Sequence, residues 1–277
     1  MACFGYASYS VMDALTKFLS SSLGIFQITF IINLISTIIL AVLIIKSHGT
    51  SGFRVKKPHL HLLRVCFFLA VPYFALKALN ILEMTEFYSV AFTSPILLMF
   101  ASAFLLKETL TKIQIIMACI GFLGVLVAIQ GDTASNWLGI AYTFIAVLLL
   151  IGNTLVLRKI PDGNTPLAIS FYPSLAFTIV YGAIAAPSYT VPSDPQWVVL
   201  IIAGIAVLGG QIGCVYGFTK ASTTSIIAPY HYTQMIWGIL LGYIMFDHEP
   251  STNELIGTVL IMYSGLYIAL FSNRQST

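Results

Sequence analysis

The sequence predicts an all-α integral membrane protein, with ten transmembrane helices in two inverted five-helix repeats. Three observations carry this. Of 277 residues, 58% are hydrophobic and only 8% charged, against roughly a quarter charged in soluble domains, so the chain cannot build an ordinary water-facing surface. Polar, Gly and Pro breaks then cut it into ten apolar runs of about 20 residues, the length that crosses a bilayer core. Finally, two segments in the chain's two halves read alike, which makes an internal duplication the organising feature.

The runs lie at 3–20, 25–46, 61–80, 84–106, 111–130, 137–158, 166–186, 196–219, 224–246 and 253–272. The first has no basic stretch ahead of it and is interrupted by Asp13 and Lys17, so it reads as a retained spanning helix and not as a signal peptide. The second is uninterrupted. SHGTSGFRVKKPHL at 47–60 leads into the third. The fourth carries Thr93, Ser94 and Pro95 at its middle, where hydroxyls can satisfy the carbonyls that proline releases. The fifth follows KETLT and the seventh ends at PSYTVPSDP. Gly204, Gly209 and Gly210 give the eighth a surface for tight helix packing. The ninth contains Pro229, predicting a kink or an extra carbonyl acceptor. All connections are short, so no soluble domain is inserted.

Alternate ends of these runs differ in charge. Lys46, Arg54, Lys56, Lys57, Arg64, Lys107, Lys112, Arg158, Lys159, Lys220 and Arg274, 11 of the 13 basic residues, fall at one end, with only Lys17 and Lys77 toward the other. Glu83, Glu86, Asp132, Asp194, Asp247, Glu249 and Glu254 lean the opposite way. The positive-inside rule therefore places both termini in the cytoplasm. The four cysteines lie within apolar runs with no metal-ligand spacing and read as small buried hydrophobes.

The duplication is read from KETLTKIQIIMACIGFLG (107–124) and HEPSTNELIGTVLIMYSG (248–265), which match Glu108 to Glu249, Thr111 to Thr252 and Gly124 to Gly265. The offset, 249 minus 108, is 141 residues, and it also lays Lys17 on Arg158. Two units follow, 1–132 and 133–277. An odd number of spans in each puts the copies upside down, and inverted copies enclosing a midplane site are the construction of many secondary transporters. Glu108 and Glu249 are assigned to turn closure and capping.

MDALTKFL at 12–19, AFTSPILLMFASAFLLKE at 91–108 and IIAPYHYTQMIWGILLGYIMFDHEPS at 226–251 resemble the drug/metabolite transporter superfamily, in particular its EamA-type bacterial ten-helix carriers. The resemblance covers essentially the whole chain. It implies a carrier in the bacterial inner membrane for a small organic metabolite, such as an amino acid, an amine or a nucleoside-type solute. The APYHYTQ stretch is similar to carriers of S-adenosylmethionine. A drug or metabolite exporter, a lipid-flipping protein or a receptor on the same fold is the alternative implied.

Candidate site residues come from the polar groups inside the runs. On a 3.6-residue period Tyr6, Tyr9 or Ser10, Asp13 and Lys17 share a stripe that faces the bundle interior. A charge at the bilayer centre costs about 2.5–3.5 kcal/mol on insertion scales, so Asp13 needs a reason. One reading is an intrahelical ion pair with Lys17. The other gives Asp13 a wet cavity, as partner of a cationic solute or as the coupling proton carrier. In the ninth run Tyr230, His231, Gln234 and Trp237 gather hydrogen-bonding and aromatic groups suited to an organic solute, with Tyr230, Gln234 and Trp237 predicted on one helical face. Ser89 and Thr93 offer a polar edge from the fourth run. Tyr73, Asn153 and Gln211 complete the set, Asn153 standing one residue from the repeat counterpart of Asp13.

Enzyme chemistry finds no support: no metal-ligand cluster, no Walker-type phosphate loop and no GxSxG elbow is present. No cofactor is expected. The short basic loop RVKKPH at 54–59 suits anionic lipid better than nucleic acid. The expected partners are a small-molecule substrate and the bilayer, with the chain a monomer or a weak homodimer.

Overall fold

The computed structural model describes residues 1–82, 87, 90–128, 136–246, 249 and 251–271, the side chains of Ala128, Ser225, Glu254, Leu266 and 268–271 apart. Ser89, Glu83, Glu86, Tyr88, Asp132, Asp247, Arg274 and the expected boundary at 132/133 therefore lie outside the described residues. Among the described residues there is no strand, and ten helices have twelve residues or more: α1 (Ala2–Leu19), α2 (Ile25–His48), α3 (Pro58–Leu79), α4 (Ser94–Leu105), α5 (Lys112–Ala128), α6 (Trp137–Arg158), α7 (Pro166–Ala185), α8 (Asp194–Lys220), α9 (Thr233–Phe246) and α10 (Thr252–Phe271). By length and composition α2, α3, α6, α7 continued to Ser188, and α8 are each apolar enough to cross a bilayer, with mean hydropathy from 1.6 to 2.8.

Local signals set the ends. Thr111 and Gln114 form a reciprocal capping box before α5, with backbone-to-side-chain bonds of 3.0 and 3.3 Å. Asn136 caps α6 through Leu138 N, and Thr165 caps α7 through Ala168 N. Glu108, expected to close this turn as a cap, bonds elsewhere in the fold. Two predicted spans are interrupted. The fourth turns at Phe92 and Thr93 before α4 begins, with Thr93 Oγ1 donating to Val90 O at 2.7 Å. The ninth is built in three pieces: a short helix Thr224–Ile227, a 3-10 segment Ala228–Tyr232 containing Pro229, and α9. Proline removes an amide donor and crowds the preceding turn, so the helix tightens there.

The principal pairings are α1 with α8, α3 with α6, α2 with α7 and α5 with α10; behind them come α1 with α9, α4 with α6, α2 with α8 and α3 with α7. Shifting each label by five exchanges α1–α8 with α3–α6, α1–α9 with α4–α6 and α2–α8 with α3–α7, and leaves α2–α7 and α5–α10 unchanged. The principal pairings are thus reciprocal between the two sets of five helices, while α7 with α8 and α6 with α8 have no counterpart of similar extent. Close approach rests on small residues. A Cβ on Gly213 would stand 2.7 Å from Gly5 Cα, so α1 and α8 touch through backbone. Gly210 receives the Tyr9 ring, Gly209 receives Ser8 and Gly204 receives Ile35; these glycines serve packing, as their sequence context predicts.

Candidate functional site

A cavity of about 450 Å³ lies between the helices, within the size range of small-molecule sites. Its wall is contributed by α1, α2, α3, α4, α6, α7 and α8 and by the interrupted ninth span. From α3 come Arg64, Phe68, Val71, Pro72 and Ala75, a spacing of four, three, one and three that is one face of an α-helix. From α1 come Tyr6, Tyr9, Met12, Asp13 and Thr16; the first part of the predicted stripe is on the wall, but Thr16 takes the place expected of Lys17.

Asp13 and Lys17 do not form the intrahelical ion pair. Gln234 Nε2 donates to Asp13 Oδ2 at 2.8 Å, while Lys17 Nζ stands 4.7 Å from the centre of the Phe246 ring. Two helices that are 221 residues apart in sequence are joined at that contact, and Ser10 Oγ adds a second tie to Gln234 O at 2.9 Å. His231 stacks on Tyr6 with ring centres 5.0 Å apart, and its Nδ1 is 3.1 Å from Ser94 Oγ. Ser94, read from sequence as a carbonyl satisfier beside Pro95, is a wall residue instead.

The interrupted ninth span contributes Ala228, His231 and Gln234, a spacing of three. That is the period of a 3-10 segment, in which residues i and i+3 eclipse. The 3.6-residue wheel, which groups Tyr230 and Trp237 with Gln234, fails there: neither is on the wall, and Trp237 is 38% exposed at the protein surface. Tyr73 is also turned outward, 54% exposed with Lys77 Nζ over its ring, because the inward face of α3 is the one that carries Arg64 and Pro72. Thr93 is not on the wall, its hydroxyl being bound within the turn before α4. Tyr9, Asp13, Asn153, Gln211, His231 and Gln234 are brought together around one space. Gln211 Oε1 accepts from Ser174 at 2.9 Å, and Asn153 Oδ1 is buried with no hydrogen-bond partner.

Arg64 and Asn33 are wall residues that sequence reasoning missed. The sequence counts Arg64 among the basic residues at the cytoplasmic end of the runs, but α3 starts at Pro58. The residue therefore sits about 9 Å along the helix, and it is only 5% exposed. Its Nη1 donates to Ile169 O at 2.7 Å. Pro173 lies inside α7, four residues beyond Ile169, so that carbonyl has lost its intrahelical donor. A charge in the second turn of an otherwise apolar run was the available signal.

Beneath the cavity Leu98, Leu157, Val215, Phe218 and Ala228 belong to one buried cluster. Below them Arg158 Nη2 donates to Glu108 Oε1 at 3.0 Å, the salt bridge found among the described residues. Arg158 also donates to the carbonyls of Phe218, Ala221 and Ser222, and Glu108 accepts from Thr224 N and Oγ1. Among the described residues no group of three His, Cys, Asp or Glu is placed to hold a metal ion.

A cavity ringed by apolar helices, with both a carboxylate and a guanidinium on its wall, suits capture of an organic solute inside a membrane. Comparison with known proteins agrees. A transporter of Helicobacter pylori is 30% identical over 291 residues, covering 97% of this chain and 91% of that protein. The S-adenosylmethionine uptake transporter of Rickettsia felis is 22% identical over 270 residues, covering 97% of this chain and 90% of its own. A solved crystal structure superposes with a TM-score of 0.81 at 18% identity, over 99% of this chain and 96% of that one, which shows the fold. The sequence profile of the EamA-like transporter family matches residues 1–130 and again 137–270. With helices apolar enough to span a bilayer, a solute-sized cavity that holds a carboxylate and a guanidinium, and a profile that matches nearly end to end, this chain is an integral membrane transporter of small metabolites and belongs to the EamA-like transporter family.

Proposed function

We propose that the protein is a secondary carrier that moves an amino-acid, amine or nucleoside-type metabolite across the bacterial inner membrane by alternating access. Residues 1–132 and 133–277 act as two inverted halves that rock about the cavity. One observation carries the reading: the cavity wall is assembled from both halves, and the Asp13–Gln234 hydrogen bond joins them across it. The reciprocal helix pairing and the twofold match of the family profile support the inverted repeat. Both termini lie in the cytoplasm on the strength of the basic residues at that end.

The described state is closed on the cytoplasmic side, where Phe218 and its neighbours are sealed by the Glu108–Arg158 bridge. The 141-residue offset carries Glu108 onto Glu249 and Arg158 onto Lys17. Lys17 and Glu249 are thus the counterpart latch, closing the outer side when the inner one opens. Asp13 is the coupling carboxylate, binding a proton or a solute cation in turn. The chain itself acts as a carrier and not as an enzyme, and it needs no second copy.

S-adenosylmethionine is the first solute to try, since the Rickettsia felis relative bears that name. The test is counterflow of labelled S-adenosylmethionine and a panel of amino acids and amines into proteoliposomes, with and without a proton gradient. Saturable exchange is expected, with gradient-driven accumulation lost in Asp13→Asn. Uptake no faster than in protein-free vesicles for the whole panel overturns the reading; intact gradient-driven uptake in Asp13→Asn overturns the coupling role alone.

A further inference from the structure

We infer that Arg64 is a carboxylate-binding residue of the cavity, so that the transported solute carries a carboxylate together with a nitrogen donor. This rests on the carrier reading above and names its substrate class. Arg64 is on the cavity wall and 5% exposed. One of its nitrogens, Nη1, is held by Ile169 O, and its Nε is buried with no partner. The salt bridge among the described residues involves Arg158, and the carboxylate on the cavity wall, Asp13, has Oδ2 occupied by Gln234 Nε2. A guanidinium shielded from bulk water and without an acid is costly to keep. An anion arriving in the cavity removes that cost.

The anchoring explains why the group waits in place. Ile169 O is the carbonyl that Pro173 deprives of its helical donor, so Arg64 both satisfies it and is oriented by it. A guanidinium fixed at one nitrogen still has donors in a planar fork, the geometry that takes a carboxylate through two parallel bonds. A lone carbonyl cannot neutralise the charge, and the α3–α7 contact does not need one. The rest of the wall is complementary. Asn153 Oδ1 is a buried acceptor without a donor, and Asp13 is an anionic acceptor. Together they call for N–H groups on the solute. A carboxylate for Arg64 and an N–H donor for Asn153 or Asp13 describe a solute that carries both groups. The stacked Tyr6–His231 pair and Phe68 offer a surface for the remainder of the molecule.

The experiment uses matched solutes that differ only by the carboxylate: S-adenosylmethionine with its decarboxylated form, tryptophan with tryptamine, histidine with histamine. Thermal shift and counterflow are measured on the full chain, wild type and Arg64→Gln. In wild type, the solutes that stabilise the protein are the carboxylate-bearing members, binding about tenfold or more tightly than their decarboxylated partners. In Arg64→Gln that ratio falls to near one. Arg64→Lys keeps the charge without the fork and shows an intermediate ratio, which keeps the test alive if the glutamine variant does not fold. A ratio is not moved by a merely structural role. Equal binding of both members of each pair by wild type, or an undiminished ratio in a folded Arg64 variant, overturns the inference and leaves the carrier reading standing. Binding and transport of no solute in the panel overturns both.

Discussion

Arg158 and Glu108 are 50 residues apart and joined at 3.0 Å, yet the bridge is only one of six hydrogen bonds the two side chains make or share around it. Three go from Arg158 to the carbonyls at and just beyond the end of α8, and two come to Glu108 from Thr224. The pair is therefore a clasp between α6, the 106–111 loop and the start of the interrupted ninth span. Glu108→Ala leaves a largely buried guanidinium without its acid and is expected to cost roughly 3 kcal/mol. That is a fall in melting temperature of about 5–10 °C in detergent. The exchanged pair Glu108→Arg with Arg158→Glu will not recover it, because a glutamate at 158 cannot donate to those carbonyls. Recovery to within about 2 °C would show that the charge pair alone matters.

In the proposed repeat Lys17 and Glu249 are the counterparts of that clasp, and they are not joined to each other in this state. Glu249→Gln is accordingly expected to leave the melting temperature of the described state within about 2 °C. Its turnover in counterflow should drop several-fold, since the closed outer state has lost its latch. An unchanged turnover with a lowered melting temperature is the opposite pattern and would assign Glu249 to the fold alone.

Gly213 lies against Gly5 with no room for a side chain, the added Cβ falling 2.7 Å from backbone. Backbone cannot rotate aside as a side chain can. Gly213→Val should force α1 and α8 apart at a cost of about 1–3 kcal/mol, seen as lower yield of folded protein and a lower melting temperature. Gly238, with nothing within 4 Å of an added Cβ, is the control: Gly238→Ala should be neutral or slightly stabilising, as helix propensity favours alanine over glycine.

His231 and Trp237 separate the two periods of the ninth span. His231→Ala removes the stack on Tyr6 and the contact with Ser94, and should weaken solute binding several-fold in the thermal-shift titration. Trp237→Ala changes an outward side chain and should leave binding within about twofold. The reverse ranking would mean that the ninth span keeps the 3.6-residue phase throughout.

How far the site was legible follows from these cases. Asp13, Tyr9, Asn153, Gln211, His231 and Gln234 stand out in sequence because a polar group in an apolar run must have company, and the cavity places them together. Tyr73 and Trp237 stand out equally, and nothing in composition says that they face outward; aromatic residues are at home against lipid headgroups as well as in a cavity. Arg64 was concealed by three residues. The predicted run starts at 61 and the helix starts at Pro58, so a charge that reads as lying at the end of its span is in fact a turn deeper and buried. Ser94 was concealed because a hydroxyl beside a proline has a sufficient local explanation.

The amino-acid sequence by itself determined that the protein lives in a membrane, and where most of the ten long helices among the described residues begin. Those properties follow from composition, run length and local capping, all of which are short-range. Tertiary structure alone decided which acid pairs with which base, which face of α3 turns inward and where the ninth span changes from three to 3.6 residues per turn. Each of these depends on a partner fifty or more residues away, or on a proline whose freed carbonyl is claimed from another helix. A linear pattern records that such a group exists but not what meets it.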